Sequence, residues 1–233
     1  MLSQKRADDL TEFQQALGYA FKNPSLLNKA LTHKSYVNEK KKGARNNERL
    51  EFLGDSVLDL IVSNYLVNHY DDLKEGALSK IRASVVNETC LAGLARSVNL
   101  GRYLLLGKGE ENSGGREKAS LLANAYEAVC GAIFRDSDFK TASAVLLPSL
   151  KTEIQVRAEM RAFRDYKSDL QELTQNKLQG IPTYRVAREI GPDHEKQFEV
   201  VVLVKNKVRG KGAGRSKKEA EQAAAREALA KIN

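Results

Sequence analysis

The chain has no tryptophan, and among its 233 residues are only two cysteines and three histidines. Cys90 and Cys130 both lie in apolar helical patterns. They read as reduced packing residues, which excludes a disulfide framework or a cysteine zinc site. His33, His69 and His194 are scattered without ligand spacing, so a histidine metal centre is excluded too. No apolar run approaches the ~20 residues that cross a bilayer. The N-terminal MLSQKRADDL lacks the apolar core of a secretory signal. These absences point to a cytoplasmic protein with no membrane partner.

Positive charge is in excess. The net charge is +8 and the pI is near 9.4, which favours an acidic partner. Nucleic acid fits better than an anionic membrane, because no helix pairs a strongly basic face with a bulky apolar one. The length suits one large domain or two ordinary ones.

The stretch Asn46–Leu60, NNERLEFLGDSVLDL, reads as a helix running to about Tyr70. Asn46 or Asn47 is placed to cap it, and Glu48 lies in the first turn. Leu50, Leu53, Val57 and Ile61 form one apolar stripe. Glu48, Glu51, Asp55 and Asp59 form an acidic one. Phe52, Leu58, Val62 and Leu66 make the helix apolar on nearly every side, as in a buried element. Stacked acids with no base between Glu51 and Asp59 repel one another. Desolvated and unpaired, such a row requires a cation.

A second stretch, LLANAYEAVCGAIF (Leu121–Phe134), is apolar and small except for Glu127, the only charge between Lys118 and Arg135. Asn124 lies on the same helical face. Hard oxygen ligands from two helices suit Mg2+.

NERLEFLGDSVL resembles the signature of bacterial ribonuclease III, and LLANAYEAVCGAIF is similar to that family's second catalytic segment. ALTHKSY (Ala30–Tyr36) also resembles the family. Its His33 reads as structural, since the family's ligands are carboxylates. The resemblance implies Mg2+, with Mn2+ substituting, held by Glu51, Asp55, Asn124 and Glu127. Asp55 and Glu127 are then catalytic, and Glu48 engages substrate at the edge. The family position at 124 is often Asp; Asn keeps a carbonyl oxygen but brings no charge. The resemblance also implies a homodimer with α4-like packing of the organising helix at its interface.

The remaining N-terminal pattern is helical. Leu10, Phe13 and Leu17 mark a helix closed near Gly18, and Asn23-Pro24 starts another. A helix is expected from after Gly76 to Gly101, decorated by Lys80 and Arg82, which face solvent or phosphate. Gly107–Glu117 is a Gly-rich loop without the strand and Gly-Lys-Ser/Thr ending of a P-loop. A helix over about Lys140–Arg157 is kinked or divided by Pro148. The first domain, residues 1–156, is therefore all-α. Residues 157–166 form a charged linker or extend that helix.

Residues 167–233 change class. A helix over Ser168–Gln179, strands over Thr183–Ile190, Phe198–Val204 and Lys207–Gly212, and a helix over Ser216–Ile232 give an α-β-β-β-α, two-layer α+β domain. GKGAGRSKKEAEQAAAREAL resembles the signature of a double-stranded-RNA-binding domain. Ser216 and Glu219 stand at capping-box spacing, which holds Lys217 and Lys218 at a helix N-terminus suited to phosphate. The resemblance carries minor-groove contacts over to Ser168, Gln171, Glu172 and Gln175 in the first helix and to His194 in the β1–β2 loop.

The whole is expected to be an endoribonuclease cutting both strands of duplex RNA. Its products carry staggered 5′-phosphate and 3′-hydroxyl ends, and its substrates are ribosomal precursors and some messenger and transfer RNAs. A protein that binds duplex RNA without cutting it is the rival, favoured by Asn124. A phosphohydrolase acting on small nucleotides is a third class.

Overall fold

The computed structural model describes residues 2–40, 45–162, 166–192 and 196–232. The chain divides into two compact units, Met1–Ala158 and Glu159–Asn233.

The first unit is helical. Helix α1 (Gln4–Leu17) starts where Ser3 Oγ accepts from the Arg6 N–H and ends at Gly18, whose φ of 66° is left-handed. In α2 (Pro24–Ala30) the Asn23 side chain accepts from the Ser25 N–H, with Pro24 in the first turn. Next come α3 (Lys34–Lys40) and α4 (Glu48–His69). The expected side-chain cap on α4 is not made. Instead the buried Asn47 gives its backbone N–H to the Thr32 carbonyl at 2.9 Å, pinning the start of α4 to the turn after α2.

The single helix expected up to Gly101 is three: α5 (Glu75–Val85), α6 (Glu88–Ser97) and α7 (Leu100–Tyr103). Asn87 makes the first break, because its side chain accepts from the Cys90 N–H and caps a new helix. Asn99, left-handed at φ 52°, makes the second. The Gly-rich stretch is not a loop but α8 (Lys108–Asn112) and a 3-10 turn at Gly115–Glu117. Arg116 braces it, donating to the carbonyls of Gly101, Arg102 and Leu104 while pairing with Glu111. Helices α9 (Ala119–Asp136) and α10 (Phe139–Ala162) follow. Pro148 sits inside α10 without dividing it, and the helix runs on through residues read as the start of a linker.

The core is built on α4 against α9. These helices meet backbone to backbone. A Cβ at Gly54 would lie 1.7 Å from the Glu127 carbonyl oxygen, and one at Gly131 would lie 2.3 Å from that of Leu50. Only glycine permits this approach, which sets Glu51 and Asp55 beside Glu127.

The second unit has α11 (Tyr166–Leu178), β1 (Thr183–Ile190), β2 (Gln197–Val204), β3 (Lys207–Gly214) and α12 (Lys217–Ile232). The strands form an antiparallel sheet in the order β1-β2-β3. Val200 and Val202 pack on Leu170 and on Ala220, Ala224, Ala225 and Ala228. The alternating glycines of Gly210–Gly214 face α12, and a Cβ at Gly212 would fall 2.2 Å from the Ala224 nitrogen.

Candidate active site and RNA interface

The four acids of α4 do not share one environment. Glu48 is exposed and engaged: Asn46 Nδ2 donates to it at 2.8 Å and Lys34 Nζ lies 3.4 Å away. These contacts hold its carboxyl below the usual range. Asp59, at the other end, lies 3.8 Å from Arg82, which also donates to Ser63. Arg82, read as solvent- or phosphate-facing, is therefore a tie between α5 and α4. Between these neutralised ends stand Glu51 and Asp55. Neither has an ion-pair or side-chain hydrogen-bond partner among the described residues, and nor does Glu127 on α9.

Burial, then the charges of Glu48 and Asp55, raise the Glu51 carboxyl. Glu127 is pushed up to about 7, first by burial and then by Asp55 and Glu51. The structure thus brings Glu51, Asp55 and Glu127 into mutual electrostatic contact, with no lysine or arginine fastened to any of them. Asn124 is exposed, one turn before Glu127 on α9. His33 is structural, as read: its Nδ1 meets Ser35 Oγ at 2.8 Å, and Ser35 Oγ accepts from the Gly107 N–H.

In the second unit Ser168, Gln171, Glu172 and Gln175 are all exposed on α11. Their spacing of three and four puts them on one face. Ser168 and Gln171 line a hollow of about 500 Å³ together with Lys218 from the start of α12. Ser216 Oγ accepts from the Glu219 N–H at 3.2 Å, closing half of the capping box. The Glu219 carboxylate reaches the Arg215 N–H, not that of Ser216. Lys217 is a correction: it is not free for phosphate but paired with Glu189 at 3.1 Å, over the Phe198 ring. Lys218 is exposed. His194 lies outside the described residues.

A family profile described as Ribonuclease-III-like matches residues 23–154, and one described as a double-stranded RNA binding motif matches residues 166–232. Proteins named Ribonuclease 3 are similar over almost the full length. The one from Treponema denticola is 47% identical, spanning 97% of this chain and 92% of its own. That from Caldanaerobacter subterraneus is 48% identical over 96% of this chain and 98% of its own. The solved nuclease domain of ribonuclease III from Campylobacter jejuni, described for flexibility in a region involved in dimer formation, is 46% identical with a TM-score of 0.57. It covers 61% of this chain and 96% of its own. The chain belongs to the ribonuclease III family.

As a ribonuclease III it is an endoribonuclease whose helical unit precedes a double-stranded-RNA-binding motif. No helix among the described residues is long and apolar enough to cross a membrane. The acid cluster fits a hard divalent cation by its donors, which are oxygens only, with a carboxyl proton near neutrality for a cation to replace. Among the described residues no three acids, histidines or cysteines are already drawn into a closed metal-holding group. Mutual repulsion accounts for that spacing, since unscreened carboxylates hold apart.

Sequence reasoning missed Lys34 and Arg82 as the partners that neutralise the row's ends. Their basic character was visible but not their reach across elements. It also missed Lys167, which lines the RNA-side hollow, pairs with Glu221 and lies over the Tyr184 ring.

Proposed function

We propose that this ribonuclease III is a Mg2+-dependent enzyme that hydrolyses both strands of duplex RNA, leaving staggered ends with 5′-phosphate and 3′-hydroxyl. Residues 1–156 act as the nuclease and 167–233 as the RNA-binding domain. Glu51, Asp55 and Glu127 hold the metal through carboxylate oxygens, with Asn124 adding its carbonyl oxygen. Mg2+, or Mn2+ in its place, supplies the polarised phosphate and activated water that phosphodiester hydrolysis needs. Asp55 and Glu127 orient the attacking water and the scissile group. Glu48, steadied by Asn46 and Lys34, borders the substrate.

Ser168, Gln171, Glu172 and Gln175 offer donors and acceptors for 2′-hydroxyls in the minor groove, as His194 does from its loop. Ser216 and Lys218 meet the major-groove phosphates, and Lys217 joins them when it leaves Glu189. The enzyme works as a homodimer in the cytoplasm on ribosomal precursors and on messenger and transfer RNAs.

One observation carries this reading. The acid row is paired at both ends and unpaired in the middle, where it faces the lone carboxyl of α9. The test is cleavage of a labelled RNA duplex over a Mg2+ series. Glu127→Gln loses cleavage by about 10³-fold or more while keeping RNA binding. Asn124→Asp lowers the Mg2+ needed for half-maximal rate. Full cleavage by Glu127→Gln overturns the site, and binding without products by the wild type at any Mg2+ supports the binding-only rival.

A further inference from the structure

The nuclease unit carries a second charged feature, opposite in sign to the acid row. Lys29 on α2, Arg45 and Arg49 around the start of α4, and Arg135 near the end of α9 come from separate elements. Contacts of the fold gather them. The Asn47 N–H bond to Thr32, at 2.9 Å, ties the start of α4 to the turn after α2. Asp136 accepts from the Lys22 and Asn23 N–H groups at 2.7 and 2.9 Å, tying the end of α9 to the start of α2.

The three arginines are exposed and Lys29 is half-buried. Burial first, then Arg45, Arg49 and Arg135, hold the Lys29 ammonium below the usual lysine range. None of the four has an ion-pair partner among the described residues. The carboxylate next in sequence, Asp136, is already taken by Tyr19, Lys22 and Asn23.

Cations crowded without a counter-charge destabilise the folded unit, and an anion placed among them reverses the sign. Arginine dominates the group, and its planar fork matches phosphate oxygens. Arg49 precedes Glu51 by two residues, about 200° around α4, so the cations and the carboxylate row occupy different faces of the helix. We propose that Lys29, Arg45, Arg49 and Arg135 form a phosphate-binding surface by which the nuclease unit itself grips the backbone of its RNA. This rests on the reading of the chain as a nuclease of duplex RNA. The surface adds grip to that of the C-terminal unit and carries no base specificity.

The test uses the full chain with Glu127→Gln as a non-cleaving parent. It compares that parent with the same chain carrying Lys29→Gln, Arg45→Gln and Arg135→Gln. Binding of a fluorescent RNA duplex is followed across a KCl series. Removing these charges lowers the slope of log affinity against log salt by about 2 to 3, at about 0.9 per lost phosphate contact. Thermal unfolding at low salt gives a second readout: the variant melts at a higher temperature because the repulsion is gone. A variant with only the exposed Arg45→Gln and Arg135→Gln changes gives smaller shifts of both kinds and guards against misfolding.

If the parent binds and the variant keeps its slope, the surface is overturned and the nuclease reading stands. If sedimentation shows that the variant has changed its oligomeric state at unchanged slope, the patch is a subunit contact and the proposal falls. If the parent itself does not bind duplex RNA, the underlying reading has failed instead.

Discussion

Glu127 sits in an apolar helix with Asp55 and Glu51 for neighbours, and these surroundings lift its carboxyl from the usual 4.5 to about 7. A cation entering the cluster must displace that proton. Affinity for Mg2+ therefore rises with pH, by up to about tenfold per unit below 7, and levels off above it. Calorimetric titration of Mg2+ at pH 6, 7 and 8 checks this, and a flat profile removes Glu127 from the site.

The same shift sets a stability term. The folded state holds the Glu127 proton more tightly than the unfolded chain. Its contribution is present at pH below 4.5 and is lost as pH rises through about 7. Glu127→Gln is accordingly more stable than the wild type at pH 8, by on the order of 1 kcal/mol once partial exposure is allowed for, and equal to it near pH 4. Urea unfolding at both values reads the difference.

At the scale of elements, the contact between α4 and α9 is what makes a site of separate acids. Gly54→Ala forces a methyl into the Glu127 carbonyl. It costs about 3 kcal/mol or more as overpacking and parts the carboxylates. The denaturant midpoint falls, and the Mg2+ requirement rises beyond what the lost stability explains.

Both helices were legible in the sequence because their signals are periodic or solitary: acids at spacings of three and four on α4, one charge in an apolar run on α9. The pairings that neutralise Glu48 and Asp59 were not legible. Lys34 and Arg82 reach them from other helices, and nothing local marks a long-range tie. The break at Asn87 was hidden for a different reason: an apolar period continues across it while a side-chain cap restarts the backbone. Strand order and the α12 cap were readable from alternation and spacing, but the Lys217–Glu189 pair joins β1 to α12 and was not. That pair makes the neighbouring lysines unequal. Lys218→Ala flattens the salt dependence of RNA binding by about 1 in slope, and Lys217→Ala does so by less, since Glu189 already offsets its charge.

At the scale of the molecule, the surface of α4 left uncovered by its own chain is the informative one. Phe52 is 79% exposed, Leu60 55% and Val67 60%. Read as a helix apolar all round, α4 was expected to be buried; a single chain leaves this stripe in water. At about 100° per residue these three side chains fall within a quarter-turn of one another along the helix. A continuous apolar stripe of this kind marks a contact surface. A two-fold axis would use it twice, so each substitution would be felt on both sides.

The proposed homodimer follows from that geometry, and it gives duplex cleavage its logic: two units bring two acid clusters to opposite strands of one RNA. Phe52→Asp removes an apolar anchor worth about 2 kcal/mol from each side, so the dimer weakens by about 10³-fold. Sedimentation velocity shows monomers at concentrations where the wild type is paired. Cleavage of both strands is lost with dimerisation, whereas RNA binding through the C-terminal unit persists at reduced affinity. A Phe52→Asp chain that stays dimeric and cuts both strands would place the subunit contact elsewhere and leave the exposed stripe of α4 without a role.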